Sequence, residues 1–102
     1  MKELLYTSSF KKDIKKVSTY SSFKEDLFDK YTEMLAQGQS LPTNTKDHTL
    51  SKSSPKRYKG LRDFHLSPDI CVLYKQTPDS IIFYRIGKHN NLGLTEKLVD
   101  IL

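Results

Sequence analysis

"RYKGLRDFHLSPDICVLYKQTPDSIIFYRIGK", residues 57–88, decides the fold. Three runs rich in aromatic and branched aliphatic residues, "RYKGLRDFHL", "ICVLYK" and "IIFYRIGK", are separated by "SPD" and "TPDS". Runs of this kind bounded by Ser, Pro and Asp read as strands joined by tight turns. Turns this short leave no room for a crossover, so the neighbours are antiparallel and residues 57–88 form a three-stranded meander. The apolar face of that meander must be covered by other material.

The cover lies upstream. In "SSFKKDIKKV", residues 8–17, Phe10, Ile14 and Val17 recur at helical spacing, with Ser8 or Ser9 as the N-cap. Lys11, Lys12, Lys15 and Lys16 fall on the other side of that helix, as a solvated face or as a surface for phosphate or a partner. A second helix opens at Ser22, where Ser22 and Glu25 match an S-x-x-E capping box. Phe23, Leu27, Tyr31, Met34 and Leu35 form its apolar stripe, and Gly38 stops it. So few residues separate the two that they form an antiparallel helical hairpin. "KELLYT", residues 2–7, reads as a short strand. The expected architecture is α+β, one domain over residues 1–102, with an N-terminal strand and a helical hairpin packed on one side of a small antiparallel sheet.

Composition narrows the class. At 102 residues and 36% hydrophobic, with five phenylalanines and six tyrosines, the chain can build a core and is too apolar for a disordered segment. A net charge of +5 points to an acidic partner: RNA, DNA, an anionic membrane surface or an acidic protein. No stretch approaches the roughly 20 apolar residues of a membrane span, and the apolar run near Met1 is too short for a signal peptide. Cys71 is the single cysteine, so no internal disulfide forms and a reducing cytoplasm is the expected setting, with no membrane partner. Cys71 and the three histidines show no metal-ligand spacing.

The residues able to do chemistry fall late in the chain. His48 sits on a long polar loop, "QSLPTNTKDHTLSKSSPK", and His65 and Asp69 flank the first turn of the meander. Arg85 and His89 are four apart and share a face of an extended chain, whereas Arg62 and His65 project to opposite faces. Each histidine is a surface residue or a proton carrier, and Asp69 either stabilises its turn or belongs to a site. Arg85 stands among Ile81, Ile82, Phe83, Tyr84 and Ile86, where a charge needs a partner or a ligand. Between Lys46 and Arg62 lie six basic residues against one acid, Asp47, with Tyr58, Phe64 and Tyr74 close by. Cations with aromatics suit a single-stranded nucleic acid, although a solvated basic loop has the same composition.

"DHTL" at 47–50, "YKGLRDFHLSPD" at 58–69, "VLYK" at 72–75 and "YRIGKH" at 84–89 stand in the order and spacing of a known pattern. An H-x-x-P-D after Y-[K/R]-x-x-R-[D/E]-x-H, followed by R-x-G-x-H, resembles the YafQ branch of the RelE superfamily. These are ribosome-dependent messenger-RNA endonuclease toxins of type II toxin–antitoxin systems. "KDIKK" and the preceding hairpin also fit, less specifically. The resemblance implies a RelE-like microbial RNase fold and a site built from His48, His65, Asp69, Arg85 and His89. It implies messenger RNA on the ribosome as substrate, and a cognate acidic antitoxin that holds the enzyme inactive and through which alone operator DNA is contacted. Cleavage of this type uses the RNA 2′-hydroxyl as nucleophile and calls for no metal and no cofactor.

Within that reading Arg85 meets the scissile phosphate, since its fork matches phosphate oxygens and keeps its charge. His89 is the general acid and His48 or His65 the base, because an imidazole titrates near cellular pH. Asp69 shares the base's work or orients a histidine, and Lys56, Lys59 and Arg62 hold neighbouring phosphates. Two alternatives stand beside it: a non-catalytic nucleic-acid-binding module, and an antitoxin-binding co-repressor. Two positions depart from the family, which often has tryptophan where this chain has Ile70 and phenylalanine where it has Gly93. The chain continues into "LTEKLVDIL", where Leu94, Leu98 and Ile101 fit a short amphipathic helix.

Overall fold

The computed structural model describes residues 1–50 and 60–88. In chain order it contains β1 (Glu3–Tyr6), α1 (Ser8–Val17), α2 (Glu25–Ala36), a 3₁₀ turn (Thr43–Thr45), β2 (His48–Thr49), β3 (Arg62–Ser67), β4 (Ile70–Gln76) and β5 (Ser80–Gly87). The meander is present: β3, β4 and β5 are antiparallel neighbours, joined by turns at residues 68–69 and 77–79. The sheet is wider than the meander, with strand order β1-β5-β4-β3-β2.

That sheet is mixed: the antiparallel meander carries the N-terminal strand as a parallel edge. β1 runs parallel to β5, with Glu3 opposite Ser80 and Tyr6 opposite Phe83. Residues 7–79 lie between these two strands, so no tight turn fixes their relative direction. Two residues of the long polar loop, His48 and Thr49, add β2 at the other edge, antiparallel to β3. The strand read from "RYKGLRDFHL" begins only at Arg62, after Gly60 in the left-handed region at φ +84°.

Both helices feed one core with the sheet. Phe10 and Val17 of α1, with Phe28, Tyr31 and Leu35 of α2, pack on Phe64, Leu66, Val72, Tyr74, Ile81, Phe83 and Ile86. Phe83 is the hub, its ring centroid 5.3 Å from Tyr6, 5.6 Å from Phe10, 6.0 Å from Phe28 and 6.3 Å from Tyr74. Separations of this size suit tilted and offset rings, which adds to the burial of their area. Among the described residues no helix is long and apolar enough to cross a membrane.

The helix termini depart from local expectation in instructive ways. The N-cap of α1 is Thr7, one residue before the serines. Its hydroxyl accepts the Phe10 N–H at 3.1 Å and donates to the Tyr84 carbonyl of β5 at 2.9 Å, so one group serves helix and sheet together. The capping box at Ser22 and Glu25 does not form, because α2 starts at Glu25 with Lys24 at its N-cap. The Ser22 hydroxyl is instead donated to Asp69, 3.1 Å away. Gly38 does end α2, at φ +76°. The Gly38 and Gln39 amides donate back to the Leu35 and Met34 carbonyls, the paired bonds of a Schellman motif. The C-terminal amphipathic helix read at Leu94, Leu98 and Ile101 lies outside the described residues.

Candidate active site

Alternation along β3 separates two faces. Phe64 and Leu66 enter the main core, while Asp63 and His65 turn to the opposite side. There a second apolar cluster of Leu61, Cys71 and Leu73 packs with Leu50 and Tyr84. Cross-strand register places the candidate groups in two adjacent rows. One runs His48, Asp63, Leu73, Arg85 from β2 to β5, and the other runs His65, Cys71, Gly87 from β3 to β5. Two strand spacings of about 4.8 Å put His65 and Gly87 roughly 10 Å apart, with the small Cys71 between them.

Arg85 is aimed by a bulge. Leu73 pairs with Arg85 but Tyr74 pairs with Phe83, which leaves Tyr84 as the extra residue of β5. Phe83 and Ile86 consequently both reach the core, although a regular strand would turn residues three apart to opposite faces. Arg85 is directed toward α1, where it meets Asp13. Its Nε donates to Asp13 Oδ2 at 2.5 Å and its Nη2 to Oδ1 at 3.0 Å, a bidentate pair. The same Oδ2 accepts the Ile86 N–H at 3.1 Å. β1 pairs with β5 only as far as Phe83, and beyond that point Thr7 and Asp13 satisfy the strand's edge in its place. A cleft of about 200 Å³ opens beside the pair, lined among others by Lys16, Tyr20 and Gly87. Lys88 Nζ lies 4.8 Å from the centre of the Tyr20 ring.

His48 is exposed at the other edge. Lys46 adopts the left-handed conformation, φ 54° and ψ 39°, and its carbonyl oxygen lies 2.5 Å from His48 Nδ1. A carbonyl can only accept, so Nδ1 carries the hydrogen and Nε2 is the unprotonated nitrogen of the neutral ring. Asp47 fastens this segment to the sheet. It accepts the Tyr74 hydroxyl at 2.7 Å and Arg62 Nε at 3.3 Å, while Arg62 Nη1 donates to Thr49 Oγ1 at 3.1 Å. Burial, together with the bond to Asp47, pushes the Tyr74 phenol up, so it stays a neutral donor.

Asp63 lies opposite His48, at 3% exposure. Burial pushes its carboxyl up to about 6, against the pull of His48 and with a smaller push from Asp47. Asp69 shows the reverse behaviour on its exposed turn. The Ser67 hydroxyl, donated at 2.8 Å, holds it below the usual carboxylate range, helped by Ser22 and the Lys88 charge. A carboxylate held that low is a weak base. Burial and the nearby Asp63 raise the Cys71 thiol, so it is no thiolate nucleophile.

Of the expected site residues, His48, His65 and Arg85 stand on the two rows, and Asp69 marks the sheet end near Lys88. His89, Lys56 and Lys59 lie outside the described residues, as does Gly93. Arg62 is tied to Asp47, Tyr74 and Thr49. Ile70, at the position where the family often carries tryptophan, is 1% exposed in the main core. Among the described residues no three His, Cys, Asp or Glu side chains are grouped to hold a metal ion. Asp13, Asp47 and Asp63 were not singled out from sequence. Asp13 had a signal: with Phe10 at i−3 and Val17 at i+4 it sits on the apolar stripe of α1, where a charge needs a partner.

Comparisons with known proteins bear on the family and the fold. A family model described as the bacterial toxin of a type II toxin–antitoxin system, YafQ, matches residues 2–94. The mRNA interferase toxin YafQ of Escherichia coli (strain B / BL21-DE3) is 32% identical over 88 residues, 86% of this chain and 91% of that relative. Among solved structures, the Escherichia coli DinJ–YafQ complex contains a chain 31% identical with a TM-score of 0.75, covering 90% of this chain and 98% of its own. A copper-bound mutant toxin from Helicobacter pylori gives a TM-score of 0.79 at 28% identity, covering 90% of this chain and 99% of its own.

Proposed function

Because the chain belongs to the YafQ family of bacterial type II toxins, we propose that it is a messenger-RNA endonuclease, a single toxin domain over residues 1–102. It acts in the cytoplasm on messages held by translating ribosomes. A cognate acidic antitoxin silences it, and it reaches operator DNA only within that complex. Relatives named as mRNA interferases, and a relative crystallised with the protein DinJ, support this reading. The observation that carries it is the cross-strand register that sets His48, His65 and Arg85 on two adjacent rows of the sheet.

The chemistry follows from those groups. A base removes the proton of the RNA 2′-hydroxyl, the 2′-oxygen attacks the adjacent phosphorus, and the bond to the 5′-oxygen breaks as an acid protonates it. The products are a 2′,3′-cyclic phosphate and a free 5′-hydroxyl. His48 suits the base role, since its Nδ1–H faces the Lys46 carbonyl and Nε2 offers the lone pair. His65 is the second base candidate. Arg85 meets the charge that develops on the phosphate oxygens. Asp69, ionised across the working range, orients neighbouring groups and does not itself transfer protons. His89 is the general acid and Lys56 and Lys59 hold flanking phosphates, roles carried by the motif positions they occupy. Arg62 keeps about a third of its side chain exposed, and that part meets a neighbouring phosphate. No metal and no cofactor takes part in any of these steps.

Primer extension on translating ribosomes tests the reading with wild type, His48→Ala, His65→Ala and His89→Ala. An acid–base partner contributes about 10²–10⁴-fold, so His89→Ala loses cleavage by that factor while remaining folded. Wild-type speed from the His89→Ala protein overturns the acid assignment. A wild-type chain that binds its antitoxin but cuts nothing leaves the co-repressor alternative.

A further inference from the structure

We propose that Asp13 is a positioning residue for cleavage, acting through Arg85. This rests on the role given to Arg85 above and goes beyond it, to a residue on a different element with no proton to transfer. Three bonds converge on one carboxylate: Arg85 Nε and Nη2, and the Ile86 amide. The two side chains are 17% and 29% exposed, so solvent competes only partly for the pair. A guanidinium offers a side-on edge, Nε with one Nη, and an end-on edge made of both Nη atoms. Asp13 occupies the side-on edge and thereby fixes the plane of the group, and with it the direction in which the guanidinium presents its charge to a phosphate.

The geometry also explains why an acid is used there. Arg85 follows a bulge in the pairing with β4, and β1 stops pairing with β5 at Phe83, two residues before it. An arginine is a long side chain with many rotamers, and one held by no tie would have to be ordered at each turnover. Asp13 bonds both the guanidinium and the next backbone amide, so it fixes the side chain relative to the strand that carries it. The cleft beside the pair, lined by Lys16, Tyr20 and Gly87, leaves room for the RNA backbone to approach.

The test is a double-mutant cycle of Asp13→Asn, Arg85→Ala and the double variant, each assayed for message cleavage on ribosomes. Asp13→Asn retains an oxygen for the Ile86 amide but loses the charge, and a thermal melt on each protein reports folding. Loss of a fixed orientation lowers kcat by about 10- to 100-fold with KM little changed. The double variant then cuts no more slowly than Arg85→Ala, and Asp13→Glu recovers part of the loss. Normal cleavage by Asp13→Asn beside a crippled Arg85→Ala overturns the positioning role but leaves the function above intact. Multiplicative losses in the double variant overturn it as well, since they mean that Asp13 acts elsewhere. Normal cleavage by Arg85→Ala overturns both this inference and the role given to Arg85.

Discussion

Asp63→Asn gives the sharpest readout of the electrostatics under the sheet's second face. An aspartate at 3% exposure whose carboxyl titrates near 6 instead of 3.8 holds its proton more tightly in the folded than in the unfolded chain. Below the unfolded value both states are protonated and folding carries no penalty. As pH rises from there to the folded value, the unfolded chain ionises first and stability is progressively lost. At 1.36 kcal/mol per pKa unit, the full loss above the folded value is about 3 kcal/mol, of which roughly 2 kcal/mol falls between pH 4 and pH 7.5. Asn has nearly the same shape and no charge to desolvate, so the variant escapes this loss. Urea denaturation followed by circular dichroism, for both proteins at pH 4 and pH 7.5, measures it. The stability of Asp63→Asn relative to wild type is expected to improve by about 2 kcal/mol between the two pH values. An unchanged difference at the two pH values refutes the reasoning, whatever the sign of the difference itself.

Two further outcomes follow from the site. Tyr74→Phe removes the hydroxyl shared by Asp47 and Arg62 and leaves a half-buried carboxylate short of a donor; chemical denaturation should show a loss of about 1–3 kcal/mol. Cleavage by that variant should fall too, as the segment carrying His48 loosens, and an unaltered rate would mean that β2 needs no such anchor. Toxin treated with a chelator, desalted and returned to ribosomes in magnesium buffer should cut at the untreated rate, because no proposed step uses a protein-bound metal. A tenfold loss restored by a transition metal would defeat that expectation.

Legibility in the sequence followed the distance between partners. The meander was readable because "SPD" and "TPDS" close it locally, and Gly38 was readable because a helix end needs a left-handed residue there. β1's direction was not, since its partner stands nearly eighty residues away and no turn joins them. For the candidate site, the sequence showed that Arg85 needed a partner, and parity correctly sent Arg62 and His65 to opposite faces. Which partner Arg85 takes depends on the bulge at Tyr84, and no pattern of alternating residues announces an extra residue of that kind. Asp63 stayed hidden for a different reason. Its neighbours Arg62 and Phe64 make it look like an ordinary polar strand position, and its burial, on the face that carries the second cluster, shows only in the fold.

The departures from local rules have a common location. Ser22 has the sequence of a helix cap, a device typically contributing about 1 kcal/mol, yet its hydroxyl is donated to Asp69, 47 residues on. Lys46 takes a left-handed backbone, unfavourable for a residue with a Cβ, and its carbonyl meets His48. The bulge interrupts an otherwise regular pairing and turns Arg85 to Asp13. In each case a local preference is given up where a candidate group is aimed, and the bond formed instead comes from outside the three-stranded meander or fixes a residue at its margin. A sequence free to optimise only its fold would keep the cap, avoid the strained lysine and run the strand straight. That these concessions coincide with Asp69, His48 and Arg85 is an argument for function independent of any family likeness. It also explains why the meander motif alone does not suffice: α1, the link between the helices and the segment before β2 each supply a tie that holds one of those groups in place.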